Sequence, residues 1–399
     1  MAISVDPATV GAAVGGVLAL PVIAMFAVFL TELVAGVVPA RRRPVPRSEA
    51  RAAVIVPAHN EAASIASTVR ALAADLPTNT RLLVIADNCS DATAALARAA
   101  GAEVAERHDT ANRGKGFALA HARAVLADDP PHAVIVMDAD CSPHPGSLCA
   151  LRDAVAHWGV PVQAINLLRP DRAAPPMVQI SNFAFTVKNL VRQRGAARLG
   201  GAAFLGGTGM ALPWSVFATA PLASNDLVED LSLGLFAVRS GHSPRFLEAA
   251  HVVSDAASEA STLVQRTRWE HGFLATARQR ALPMLGEGLA RGRWSQIWLA
   301  LHLCVPPLAL LAIVGAVMLA LLVVIRLLTG GGGADVVLGA LMAASGVAVL
   351  VAWALHGRAA LSAGALVRLP LYVLWKIPIY LKLFRKPETE WVRTRRADD

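Results

Sequence analysis

The chain has 399 residues, a formal net charge of +8, 55% hydrophobic residues and a mean hydropathy of +0.49, so either its core is unusually large or part of it lies in lipid. Its four cysteines, Cys89, Cys141, Cys149 and Cys304, have neither the paired spacing of a zinc site nor the density of a disulfide scaffold, which points to free thiols in a reducing compartment. No basic stretch is interleaved with aromatic residues, which excludes single-stranded nucleic acid as a partner, and much of the positive charge flanks apolar segments, where membrane lipids with anionic headgroups attract it.

Residues 1–40 read as an N-terminal transmembrane helix. No residue from Pro7 to Thr31 is charged, a length that crosses a bilayer's hydrocarbon, and Arg41, Arg42 and Arg43 follow, so the positive-inside bias leaves the helix's C-terminal end in the cytoplasm. The leader has no basic region and carries Asp6, which favours an uncleaved anchor over a signal peptide.

Residues 41–280 read as a cytoplasmic α/β domain. Strands are expected over Ala53 to Pro57, Arg81 to Asp87, Ala102 to Glu106 and Ala133 to Asp138, with helices around Glu61 to Ala74, Asp91 to Ala100 and Gly114 to Ala127. Such alternation, with near-continuous apolar strands, is the pattern of a mostly parallel, Rossmann-like sheet covered by helices on both faces. Ligands bind such sheets beyond the carboxyl ends of the strands. That rule gathers Pro57 and His59-Asn60-Glu61, then Asp87-Asn88, then Asp138-Ala139-Asp140 into one crevice.

In an extended segment Asp138 and Asp140 point the same way, and two such carboxylates repel unless a cation lies between them. Oxygen-only ligation suits Mg²⁺ or Mn²⁺ completed by a substrate's phosphate oxygens, although a solvated turn would present the same residues. Asn112 to Gly116, with Lys115, opens a helix whose free N–H groups favour an anion, or is a plain helix start. Glu229 and Asp230 precede an apolar run, where they cap a helix or supply a general base. Gln265, Arg268 and Trp269 fall at i, i+3 and i+4 on one helix face. That face suits a diphosphate beside a ring-shaped acceptor, or an interfacial helix with snorkelling arginines.

Residues 281–399 read as a C-terminal membrane region. Uncharged blocks place transmembrane helices at about 297–326 and about 336–355, joined by the turn Gly330 to Gly333. The stretch from Ala359 to Phe384 is broken by Arg368, Pro370, Lys376, Pro378 and Lys382 and better suits the membrane interface, a fourth crossing being the alternative, and a basic cytoplasmic tail follows.

"VIVPAHNE", "VIADNCSD", "NRGKG", "VMDAD", "FLGGTGM", "VED" and "QRTRW" occur in an order and spacing that resembles the membrane-embedded family 2 glycosyltransferases, similar to cellulose, hyaluronan and poly-N-acetylglucosamine synthases and to ceramide glucosyltransferases. The resemblance implies a GT-A-like fold, an integral membrane protein of the bacterial inner membrane with its catalytic domain in the cytoplasm, and inverting transfer from a nucleotide sugar, a UDP-sugar above all. The acceptor would be a polysaccharide or other glycan, or else a lipid given a single sugar; a non-catalytic nucleotide-binding or transport protein is the remote alternative. Residue by residue, it implies that His59 to Glu61, Pro57 and Asp87 hold base and ribose, with Lys115 near the base or phosphates. Asp138, Ala139 and Asp140 would meet the diphosphate, with Asp138 and Asp140 on the Mg²⁺ or Mn²⁺ ion. Asp230 would be the general base, its pKa raised by Glu229. Gln265, Arg268 and Trp269 would bind diphosphate and acceptor, and Phe204, Gly207 and Thr208 would shape the acceptor pocket. Three departures stand out: Ala86-Asp87 where the family pairs two aspartates, Val228 where several synthases have threonine, and Cys141 where some have histidine, which leaves the third metal ligand open.

Overall fold

The computed structural model describes residues 6–39, 45–255 and 259–385; Arg41 to Arg43 and the basic tail, on which the expected orientation partly rests, lie outside them. Eight strands form one sheet: β1 (Ala52–Ala58), β2 (Thr80–Asp87), β3 (Glu103–Arg107), β4 (Ala133–Val136), β5 (Cys141–Pro143), β6 (Val162–Leu168), β7 (Met210–Pro213) and β8 (Arg245–Ser254). Their order is β3-β2-β1-β4-β7-β6-β8-β5. The first four, all anticipated from sequence, are parallel, with β1 between β2 and β4. β7 runs antiparallel to β4 and β6, β8 lies parallel to β6, and β5 closes the far edge antiparallel to β8.

Side-chain alternation along β1 sends Ala53 and Ile55 to one face and Val54 and Val56 to the other. The first pair meets Ala118, Leu119 and Leu126 of α4 (Lys115–Leu126). The second meets Ile65, Val69 and Leu72 of α2 (Ile65–Ala74) and Leu148 and Leu151 of α5 (Ser147–Trp158). Each buried aliphatic side chain contributes about 1.5–3 kcal/mol. Residues of α3 (Thr93–Ala99) extend the second layer. β1, buried from Ala52 to Val56, is therefore sandwiched, and its carboxyl end can open only onto the loops above it.

The remaining lobe helices are α6 (Pro176–Thr186), which continues through a π turn (Val187–Arg192) into α7 (Gln193–Arg198), then α8 (Trp214–Thr219), α9 (Glu229–Arg239), α10 (Glu259–Ala290) and α11 (Trp294–Cys304). After these come α12 (Leu308–Thr329), α13 (Ala334–Ala352), α14 (Ala363–Leu366) and α15 (Leu369–Arg385). Three helices are long and apolar enough to cross a membrane: α1 (Pro7–Gly36), α12, and α13 with its extension to Gly357. The uncharged block expected as a single crossing from about 297 divides instead at Pro306 and Pro307, which lack the N–H a continuing helix needs, and α11 joins the lobe core with α9 and α10.

α1 is fixed at both ends by glycines. A side chain at Gly11 would strike Thr329, and one in the turn at Gly331 would strike the backbone of Ala8. At the opposite end Gly36 lies against the main chain of Val191, and Gly195 against that of Glu32. Beside this crossing Glu32, fully buried, accepts hydrogen bonds from Arg192 (2.7 Å), His302 Nδ1 (2.6 Å) and Trp298 Nε1 (3.2 Å).

α15 buries Tyr372, Lys376, Ile379 and Tyr380 while Leu371, Leu374 and Leu381 remain exposed. Lys376, an unfavourable residue for lipid, is withdrawn to Glu270 of α10 (2.6 Å), whose other oxygen accepts from the Tyr380 hydroxyl (2.8 Å). An interfacial-type helix is thereby clamped to the helix that carries Gln265 to Trp269.

Candidate active site

The loops after β1 and β2 are laced together. His59 Nδ1 donates to the Asp87 carbonyl (2.7 Å), Asn60 Oδ1 accepts from Ser90 N (2.8 Å), and Glu61 N donates to Thr93 Oγ1 (2.7 Å). Asn60 and Asn88 take left-handed backbone conformations, which asparagine tolerates better than most residues. Asp87 is buried and bound by Arg107 of β3 (2.7 Å), a partner no motif announces. This gives the lone aspartate of "VIADN" a structural counter-ion, and Pro57, half-buried, lines the same end of β1.

β4 ends at Val136, so Asp138-Ala139-Asp140 forms a turn rather than the expected strand continuation. Backbone alternation therefore does not aim the two carboxylates; the turn does. Ala139 is buried, Asp138 N donates to Thr208 Oγ1 (3.1 Å), and ligand atoms of Asp138, Asp140 and Cys141 lie within 4.8 Å of one another. The Cys141 thiol donates to Asp140 Oδ1 (3.4 Å), and burial, reinforced by the neighbouring aspartates, pushes its pKa well above the ordinary value. It serves as a neutral hydrogen-bond donor to the carboxylate pair. Two close oxygen donors, one of them exposed, fit a hard divalent cation.

Lys115, the first residue of α4, reaches Asp138 Oδ1 (2.5 Å) and the Gly207 carbonyl (2.5 Å), with Glu229 Oε1 at 3.9 Å. Burial opposes its charge, but Asp138, Glu229 and Asp230 outweigh burial and raise its pKa. Glu229 and Asp230 begin α9. Burial, then the charge of Asp230, pushes the Glu229 carboxyl up to about 7. Burial also raises Asp230, against the pull of Lys115 and Lys188. Leu231 N donates to Asp230 Oδ1 (2.7 Å), while Oδ2 lies beside Gly207. Gly207 has φ +77°, and a Cβ there would stand 3.1 Å from both Asp230 Oδ2 and Lys115 Nζ. Only glycine leaves that space open.

Gln163 of β6 holds this loop: its Oε1 accepts from Gly206 N (2.8 Å) and its Nε2 donates to the Thr208 carbonyl (3.0 Å). Thr208 is buried and directs Asp138. Phe204 is also buried, packed on His302 (4.3 Å between ring centroids) and Phe273 (6.3 Å), so both residues support the cleft from behind.

On α10, Arg268 is influenced by Glu229, Asp138 and Asp230 together, although burial lowers its pKa overall. Trp269 stacks on Phe185 of α6 (5.8 Å), Arg266 lies over both rings at 4.9 Å, and Gln265 is half-buried one turn away. The structure thus brings Lys115, Asp138, Gly207, Glu229, Asp230 and Arg268 into one charged cleft, with Asp140 at its open edge. Sequence reading passes over Gln163, Arg107 and Lys188, which act singly and carry no local pattern.

A parallel half-sheet, an antiparallel continuation, and acidic residues at the strand ends define the class. A profile of the glycosyltransferase-like family 2 matches residues 50–272, more than half of the chain, and the protein belongs to that family. Its GT-A-like α/β fold is shared with a mannosyltransferase from Pyrobaculum calidifontis, solved with GDP-mannose and Mn²⁺, at 16% identity and a TM-score of 0.55 over 93% of this chain and 100% of that one. Glucosyl-3-phosphoglycerate synthase from Mycobacterium tuberculosis, solved with Mn²⁺, UDP and phosphoglyceric acid, aligns at 20% identity and a TM-score of 0.41 over 57% of this chain and 78% of that one. No curated protein sequence matches the chain.

Proposed function

We propose that the protein is a membrane-embedded, metal-dependent, inverting hexosyltransferase that moves a sugar from a nucleotide diphosphate sugar, a UDP-sugar above all, to a glycan acceptor at the cytoplasmic face of the bacterial inner membrane. The observation that carries this reading is the convergence of Asp138 and Asp140 with Lys115, Asp230 and Arg268 in one cleft of a chain that also carries three helices apolar enough to cross a membrane. The similar mannosyltransferase fold, solved with a nucleotide sugar and Mn²⁺, supports it.

The laced loops around His59, Asn60, Glu61 and Asp87 would receive the nucleoside. Asp138 and Asp140 would hold Mg²⁺ or Mn²⁺, which when bound neutralises charge on the departing diphosphate. Arg268 adds a second positive charge on that side, and charge placed where it develops lowers the barrier. Asp230 Oδ2 takes the acceptor hydroxyl's proton, the freed oxygen attacks the anomeric carbon, and the nucleotide diphosphate leaves. A single displacement without an enzyme nucleophile inverts the anomeric centre. Trp269, with Gln265 beside it, offers a ring face to the acceptor sugar.

A lipid acceptor given a single sugar is the second reading, favoured by the exposed leucines of α15 on the helix clamped to α10. Product analysis separates them: a polymer supports the first and one glycolipid the second. Nucleotide release from UDP- and GDP-sugars by wild type and by Asp138→Asn, Asp140→Asn and Asp230→Asn tests the whole proposal, which full activity in all three variants would end.

A further inference from the structure

Lys188 lies in the π turn between α6 and α7, and such turns recur at functional sites because the extra residue re-aims the side chains that follow. Along this segment Ser181, Phe185 and Lys188 follow one face onto α10. Arg266 Nε donates to Ser181 Oγ (3.0 Å), Phe185 stacks on Trp269, and the Lys188 ammonium stands over the Phe273 ring at 5.8 Å. The Arg266 guanidinium lies 4.9 Å from the centroid of each of the stacked Phe185 and Trp269 rings. The result is a wall with two cations set among three aromatic rings.

Among the described residues, neither cation has a carboxylate within ion-pair distance, whereas neighbouring Arg192 and Arg194 are each paired, with Glu32 and Glu248. Arg266 is buried and Lys188 is open to solvent, yet protein surrounds the ammonium closely enough that desolvation lowers its pKa. The two cations also repel each other. Position distinguishes Lys188 from Arg268. Arg268 is influenced by Asp138, Glu229 and Asp230, on the metal side, whereas Lys188 is influenced by Asp230 and Glu270. The proposed base thus feels both cations, while only Arg268 also feels Asp138 and Glu229.

We propose that Lys188 and Arg266 form an anion subsite for the acceptor, so that the molecule presenting its hydroxyl to Asp230 also carries a phosphate or carboxylate. This rests on the glycosyltransferase reading and adds the acceptor's charge class to it. An anionic acceptor would accept charge-assisted hydrogen bonds from cations that no carboxylate holds within ion-pair distance among the described residues, whereas an uncharged one would not. The rings of Phe185, Trp269 and Phe273 would take the apolar or ring-shaped part of the same molecule.

The test uses the full-length protein in detergent with Mg²⁺ and UDP, and two matched probe pairs: dodecyl phosphate against dodecanol, and glucuronate against glucose. Calorimetry should show the anion of at least one pair binding about tenfold or more tightly than its neutral partner, as a charge-assisted contact implies. Lys188→Met should abolish that preference and Lys188→Arg should restore most of it; Arg266→Gln, an independent variant, should weaken the anion in the same sense. A preference confined to the dodecyl pair identifies a lipid-borne anion, and one confined to the sugar pair an acidic sugar. Equal binding within both pairs, or a Lys188→Met protein that keeps the wild-type preference, overturns the subsite. Failure of the underlying reading has a different signature: no nucleotide release from any UDP- or GDP-sugar, whatever the anions do.

Discussion

Asp230 and Glu229 are adjacent carboxyls with different surroundings, and the difference assigns their parts. Asp230, though raised by burial, is anchored by Leu231 N and attracted by two lysines, while Glu229 is pushed up to about 7 by burial and by Asp230. Asp230→Asn should lower kcat by about 10²–10⁴-fold, the range of general-base catalysis, with much smaller loss of donor affinity in a nucleotide titration. Glu229 makes a separate prediction for the metal-free protein. A carboxyl whose folded pKa is raised favours its neutral form, so its contribution to stability is full below about 4.5 and is lost as the pH rises through about 7. Thermal unfolding between pH 5 and pH 8 should show a decline in wild type that is visibly shallower in Glu229→Gln; parallel curves would refute the assignment. Asp138, Glu229, Asp230 and the "QRTRW" residues were legible in sequence because each belongs to a local cluster. Gln163 and Lys188 were not, since one glutamine on a strand and one lysine on a helix gain meaning only from what the fold sets opposite them.

At the scale of elements, two glycines decide how parts meet. Gly207→Ala places a methyl group 3.1 Å from Asp230 Oδ2 and Lys115 Nζ on a backbone with φ +77°, so it should cost about 1–3 kcal/mol and more than tenfold in kcat. Differential unfolding with steady-state kinetics measures both. Gly195→Val acts elsewhere: its side chain would collide with the main chain of Glu32, forcing α1 off the lobe and breaking the Glu32–Arg192 pair. That variant should unfold at a markedly lower temperature, and hydrogen exchange should rise in α7 while α2 keeps its protection. β1, β2 and β4 were readable from sequence because each holds an apolar run of four or more residues, and β3 because of its place in the strand–helix alternation. β5, β7 and the pairing of β8 were not: short antiparallel strands depend on partners far along the chain, and Cys141 meets Ser254 only in the folded sheet.

For the molecule as a whole, the helix ends argue for one arrangement in the membrane. The N-terminal end of α1 and the turn between α12 and α13 lie together, through Ala8 and Gly331, while the other end of α1 docks on the lobe. Three crossings, as proposed, would put Gly330 to Gly333 on the side opposite the lobe. A cysteine introduced at Gly332 should react with a membrane-impermeant maleimide in intact cells, whereas Cys89 should react only after permeabilisation. The reverse pattern would invert the proposed topology.

Local information in the chain was enough to determine the parallel α/β core, the three long apolar helices and the acidic, glycine and Gln-x-x-Arg-Trp clusters, because strand burial, helix period and adjacent charged residues are written in neighbouring positions. Only the tertiary structure decided that Cys141 donates to Asp140, that Lys115 links Asp138 to Gly207, that Lys376 retreats to Glu270, and that Lys188 stands over the Phe273 ring. Each of these joins a charge or dipole to a partner brought near by chain crossing, and Coulomb interaction depends on distance in space, which no local pattern of residues encodes.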